Sequence, residues 1–193
     1  MKISIIIIIV LTISACSSKY TEQISHHYKK CIEQENKVNG FDFYGNLITA
    51  EELLIKNDIL EGNSRNSYKK AIVKLFNGDN YKNQFLLIKK EKSIKNITSS
   101  MFSLFFTCSN FEIDNNNVGN LQNYQRILSK FRDKGYDDLE LITDLFIATN
   151  FKNKAMRMHF LCVFIINLEM KYGEFNTLVP ANAPSPALQR TSK

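Results

Sequence analysis

The stretch from Asn153 to Tyr172 constrains the fold more than any other part of this 193-residue chain. Met156, Phe160, Val163, Phe164 and Leu168 recur at helical spacing, and Leu161, Cys162, Ile165 and Ile166 widen the apolar stripe almost all the way round. A surface helix keeps one polar face. This one keeps almost none, so it requires other helices on every side and belongs in the middle of a bundle. His159, Asn167 and Glu169 interrupt the apolar run and argue against a membrane span.

The rest of the chain supplies segments suited to surround it. Tyr20, Ile24, Tyr28, Cys31 or Ile32, and Val38 predict an amphipathic helix ending near Asn39-Gly40. Thr49-Ala50-Glu51-Glu52 reads as a capping box opening a short helix through Leu53, Leu54 and Ile55, with Gly62 beyond its end. Tyr68, Ile72, Leu75 and Phe76 mark the next helix, up to Asn77-Gly78, and Asp79 or Asn80 is placed to start a segment carrying Tyr81, Phe85, Leu86 and Ile88. The run from Ile97 to Cys108 fits a buried helix or a strand. DNNNVGN, residues 114–120, forms the clearest internal loop.

Beyond that loop, Leu121, Tyr124, Ile127 or Leu128, and Phe131 are spaced as a helix stopping at Lys134-Gly135. Asp137 and Glu140 form a box-like start for a partner helix presenting Leu141, Leu145 and Phe146. After Gly173 the composition changes, and Pro180, Pro184 and Pro186 among Ala and Ser leave little to bury. The expectation is a mainly α protein, an irregular bundle of about six or seven helices, with its domain over 20–173 and a disordered C-terminal tail over 174–193.

The first residues have a different purpose. Met1-Lys2 is a short positive segment, and the run from Ile3 to Ile13 is apolar apart from Ser4 and Thr12. A bilayer core takes about 20 apolar residues, so this run is of signal-peptide length and too short to span. Ile13-Ser14-Ala15-Cys16, directly behind it, resembles the lipobox of bacterial lipoproteins. The resemblance covers the leader only, and no family is apparent for the mature domain.

That resemblance implies cleavage between Ala15 and Cys16, a signal peptide over 1–15, and a lipidated cysteine with a short tether over 16–19. It further implies a diacylglycerol thioether on Cys16 and an acyl chain such as palmitate on the freed amine. Two or more chains hold a protein stably on a membrane where one does so marginally. Ser17 follows the cysteine in place of Asp, and no acidic cluster comes after it. By the same resemblance, the expected location is the bacterial cell envelope, on the outer membrane facing the periplasm.

Composition limits what remains. A hydrophobic fraction of 44%, with 14 Phe and 8 Tyr, is too apolar for a disordered chain, and a mean hydropathy of -0.22 is too polar for an integral membrane protein. The net charge of +6 comes mostly from lysine. An exported, lipid-anchored chain meets anionic headgroups, anionic cell-wall polymers or an acidic envelope protein, and no nucleic acid. Of four cysteines, Cys31, Cys108 and Cys162 remain beside Cys16, enough for one bridge whose pairing the sequence leaves open.

Candidate chemistry is sparse. His27 and Cys31 lie four apart and share a helix face, a spacing usable in a metal site or a Cys/His pair, but they form only half of either. His159 lies near Cys162 on the central helix, and Cys108 is a further thiol. DNNNVGN places Asp114, Asn116 and Gly119 as in a calcium loop, but Val118 stands where an oxygen ligand is needed and Gln125 replaces the bidentate glutamate. Glu51-Glu52 and Asp137-Asp138 sit at predicted helix starts, where the macrodipole accounts for them.

No GxSxG, P-loop, GxGxxG or HExxH is present. No catalytic residue, metal or cofactor is therefore assigned. The expectation is a noncatalytic envelope protein of binding, accessory or immunity type. The alternatives are an envelope hydrolase of cell wall or lipid, drawing on His27, Cys31, Cys108 and His159, and a structural envelope lipoprotein.

Overall fold

The Asn153 side chain accepts a hydrogen bond from the Met156 amide and so starts the central helix, which runs from Lys154 to Tyr172. The structure, a computed structural model, describes residues 22, 25–34, 36–37, 40, 42–78, 80–98 and 120–173. The signal segment, Ala15, Cys16, Cys108, most of the DNNNVGN loop and the tail over 174–193 lie outside the described residues. The described part is mainly helical and contains no strand.

In chain order, α1 includes residues 25–34 and 36–37, α2 is Phe43–Lys56, α3 Arg65–Asn77 and α4 Lys82–Ile88. α5 includes residues 92–98, α6 is Asn120–Lys134, α7 Leu139–Ala148 and α8 Lys154–Tyr172. Every residue of α8 from Ala155 to Glu169 is buried. Helices α2, α4 and α7 pack against it, α6 pairs with α7, and α2 also meets α4. The all-round apolar pattern thus becomes the axis of an irregular bundle, and no described helix is long and apolar enough to cross a membrane.

Most boundaries follow local chemistry. Gly78 and Gly135 end α3 and α6 with φ of 98° and 95°, a left-handed conformation open to glycine at little cost. Ser64 caps α3 by accepting from the Ser67 amide. Asp138, one residue after the expected Asp137, caps α7 by accepting from the Leu141 amide.

One expectation changes. The capping box at Thr49 is absent, because α2 begins at Phe43 under the Asp42 carboxylate, which accepts from the Gly45 amide. Thr49 lies inside that helix, its hydroxyl donating to the Gly45 carbonyl, and Glu51 is buried in the core. Eight helical segments fall among the described residues, in keeping with the irregular bundle of about six or seven expected. The turn closed by the Glu91 amide on the Ile88 carbonyl divides α4 from α5.

Candidate functional site

Two polar groupings are built into the apolar core, both on α8. On one side Arg157 faces α2. Its Nε lies 2.8 Å from Glu51 Oε1 and its second terminal nitrogen 3.3 Å from Oε2, while the first donates to the Phe151 carbonyl at 3.1 Å. The Tyr68 hydroxyl on α3 donates to the same Glu51 Oε1 at 2.7 Å. Forked guanidinium–carboxylate pairs of this kind combine charge with fixed geometry. Burial, then the Glu51 carboxylate, push the Tyr68 hydroxyl well above its ordinary pKa, so it remains a donor.

Aromatic rings seal this pair from solvent. Tyr68 lies 5.1 Å from Phe151 and 5.8 Å from Phe160 between centroids, and Phe146 packs on both of those phenylalanines. Arg65, at the start of α3, covers the outer edge with its guanidinium 4.7 Å from the Phe146 ring centre and donates to the Thr149 carbonyl. The arrangement links α2, α3, α8 and the α7–α8 turn, and keeps the Glu51 and Arg157 charges buried.

The second grouping joins α1, α6 and α8. Tyr124 Oη lies 2.8 Å from His159 Nδ1, Tyr28 Oη lies 3.4 Å from Cys162 Sγ, and the Tyr28 and His159 rings are 4.4 Å apart. Burial, with a smaller effect from nearby His27, drops the His159 imidazole to about 3. Burial pushes the Cys162 thiol up to about 12. At neutral pH both are uncharged, and a thiol–imidazole pair in that state has neither the thiolate nor the imidazolium that nucleophilic chemistry needs.

The remaining sequence candidates separate. Cys31, half-buried on α1, is disulfide-bonded to a partner outside the described residues, whereas Cys162 is a buried free thiol. His27 sits one residue before Tyr28, half-buried beside the His159 grouping. Cys16, Ala15 and Cys108 lie outside the described residues. Among the described residues, no three His, Cys, Asp or Glu side chains gather into a metal site.

An open cleft of about 480 Å³ lies where the ends of α3 and α8 meet the start of α4, lined by Gly78, Asn80, Lys82, Lys171, Tyr172 and Gly173. Its inner cation is engaged, because Lys171 Nζ donates to the Leu75 carbonyl near the end of α3. The Tyr172 hydroxyl accepts from the Tyr81 amide. Two helix C-termini bring their carbonyls here, so the cleft is a junction between elements rather than a free basic pocket.

Sequence reasoning assigned Glu51 to a helix start and passed over Arg157. The available signal was Arg157 itself, a permanent cation within a helix otherwise apolar almost all round, which requires a buried carboxylate. The chain matches no family model, no curated protein and no solved structure.

Proposed function

We propose that the chain is a lipid-anchored bacterial envelope protein whose role is noncatalytic: binding, accessory or immunity-type. The observation that carries the location is Ile13-Ser14-Ala15-Cys16 directly behind a short positive segment and an apolar run. The disulfide at Cys31 accords with it, since such bonds persist mainly in oxidising compartments outside the cytoplasm.

The noncatalytic reading draws support from the two buried groupings. Glu51 and Arg157 are occupied with each other, and His159 and Cys162 are neutral and sealed in the core. These polar groups hold helices together, which leaves the outer surface to meet a partner.

Metabolic labelling with an acyl analogue tests the anchor. The full chain is expected to take up label and fractionate with membranes, and Cys16→Ser to do neither; label retained by Cys16→Ser overturns the reading. In-cell crosslinking of the tagged protein tests the role, with one dominant envelope protein expected. Its absence, together with a cell-wall or lipid hydrolysis activity in the purified chain, replaces binding with catalysis.

A further inference from the structure

The chain's positive charge is concentrated on one short segment. Residues 82–98 contain Lys82, Lys89, Lys90, Lys92 and Lys95 against the single acid Glu91, a net of +4 in a chain whose total is +6. The fold determines where that charge goes. Phe85 and Ile88 of α4, and Ser93, Ile94 and Ile97 of α5, are buried, and a tight turn closed by the Glu91 amide on the Ile88 carbonyl connects the two helices. Lys82, Lys90, Lys92 and Lys95 are exposed on the same segment, as is Leu87, which at 71% is the most exposed large apolar side chain among the described residues.

These cations differ from others on the surface. Lys70 pairs with Glu61 at 2.7 Å, and Lys134 lies 3.6 Å from Asp138 and 3.5 Å from Glu140. Lys82, Lys90, Lys92 and Lys95 make no ion pair among the described residues. Exposed lysines without ion partners and a protruding leucine on one short segment match the two components of a lipid interface, anionic headgroups and the acyl boundary beneath them.

We infer that the outer face of α4 and α5 is a membrane-docking surface for anionic lipid, with Leu87 entering the headgroup layer and Lys82, Lys90, Lys92 and Lys95 contacting the headgroups. This surface rests on the proposed envelope location, since a membrane is what a chain tethered through Cys16 meets. It orients the bundle: one face lies on the bilayer and the opposite faces are presented to a partner.

The test uses full-chain Cys16→Ser protein, which carries no thioether lipid, on vesicles of phosphatidylcholine alone or mixed equally with phosphatidylglycerol. The leader, including Lys2, is common to all variants, so its contribution cancels in the comparison between them. Binding is expected to be stronger on the anionic vesicles and to fall on the order of 100-fold when Lys90, Lys92 and Lys95 are all changed to Gln. Leu87→Ser is expected to weaken binding about 5-fold, and circular dichroism checks that each variant keeps its helices.

Equal binding of the parent chain to neutral and anionic vesicles overturns the inference, as does unchanged anionic binding by the triple variant. Unchanged binding by Leu87→Ser overturns the inserted leucine. Lysine-dependent capture of an acidic protein without any preference for anionic vesicles replaces lipid as the occupant. Acyl labelling tests the anchor separately, so failure of the docking surface and failure of the Cys16 anchor give different results.

Discussion

Arg157 Nε lies 2.8 Å from Glu51 Oε1, with the two side chains 10% and 8% exposed and the residues 106 positions apart. This contact ties the central helix to α2 through charge. Removing one partner leaves the other buried and uncompensated, so Glu51→Gln or Arg157→Met is expected to lower unfolding stability by about 3–5 kcal/mol. The double change Glu51→Gln/Arg157→Met is expected to cost less than the two single changes added together. Urea denaturation of the four proteins in a double-mutant cycle measures the difference; additive losses would show that the pair has no coupling.

His159 makes stability depend on pH. Its folded pKa is about 3, below the ordinary 6.5 of an unfolded histidine. Between those values the unfolded chain binds a proton that the folded chain excludes, so the histidine's contribution is complete above about pH 6.5 and is lost as pH falls. At pH 4.5 the expected loss is roughly 2–3 kcal/mol relative to pH 7. The lowered Asp138, whose own contribution declines only below its ordinary 3.8, leaves this window free. Denaturation of the parent chain and His159→Asn at both pH values should show a smaller difference in the variant; an equal difference would assign the pH dependence elsewhere.

Thiol chemistry should separate the cysteines in order. Cys162 is buried with its pKa at about 12, and Cys31 is held in a disulfide. In Cys16→Ser, Cys162 is expected to resist a thiol reagent while the chain is native and to react once it is denatured. Cys31 is expected to react only after reductant is added. Peptide mapping of the labelled chain checks this sequence, and native labelling of Cys162 would contradict its burial.

Lys171 joins the end of α8 to the end of α3 by donating to the Leu75 carbonyl. A bond from a charged donor to a carbonyl at a helix end is expected to contribute about 1–2 kcal/mol. Lys171→Met, which keeps most of the apolar stem, should lower the thermal midpoint. An unchanged midpoint would mean that water serves the carbonyl equally well.

Phe160 is fully buried and touches Tyr68, Phe146 and Phe151 at centroid distances of 5.8, 5.7 and 5.3 Å. Phe160→Ala is expected to cost about 3–5 kcal/mol, through lost burial and the cavity left behind. Denaturant unfolding gives the value, and a loss below about 1 kcal/mol would indicate that the aromatic group collapses around the gap.

The legible parts of the fold were those governed by neighbours in sequence. Apolar spacing located α8 and α3, Gly78 and Gly135 marked two helix ends, and Asn153 marked a beginning. The start of α2 was misplaced because Thr49-Ala50-Glu51-Glu52 has the composition of a cap, yet Asp42 performs that function seven residues earlier. Glu51 was then free to turn inward, where its partner is distant in sequence. The His159 grouping was equally hidden, since Tyr28 and Tyr124 belong to helices whose order along the chain says nothing about their proximity to α8.

By itself the sequence determined a helical protein organised around residues 153–172, because local periodicity and capping act over a few residues and are written in chain order. Only the tertiary structure decided that Arg157 has Glu51 as its counterion, that His159 is neutral, and that Lys82, Lys90, Lys92, Lys95 and Leu87 are exposed while Phe85, Ile88, Ile94 and Ile97 are buried. Those properties arise from desolvation and from contacts between elements, which depend on how the helices pack and not on where their residues fall along the chain.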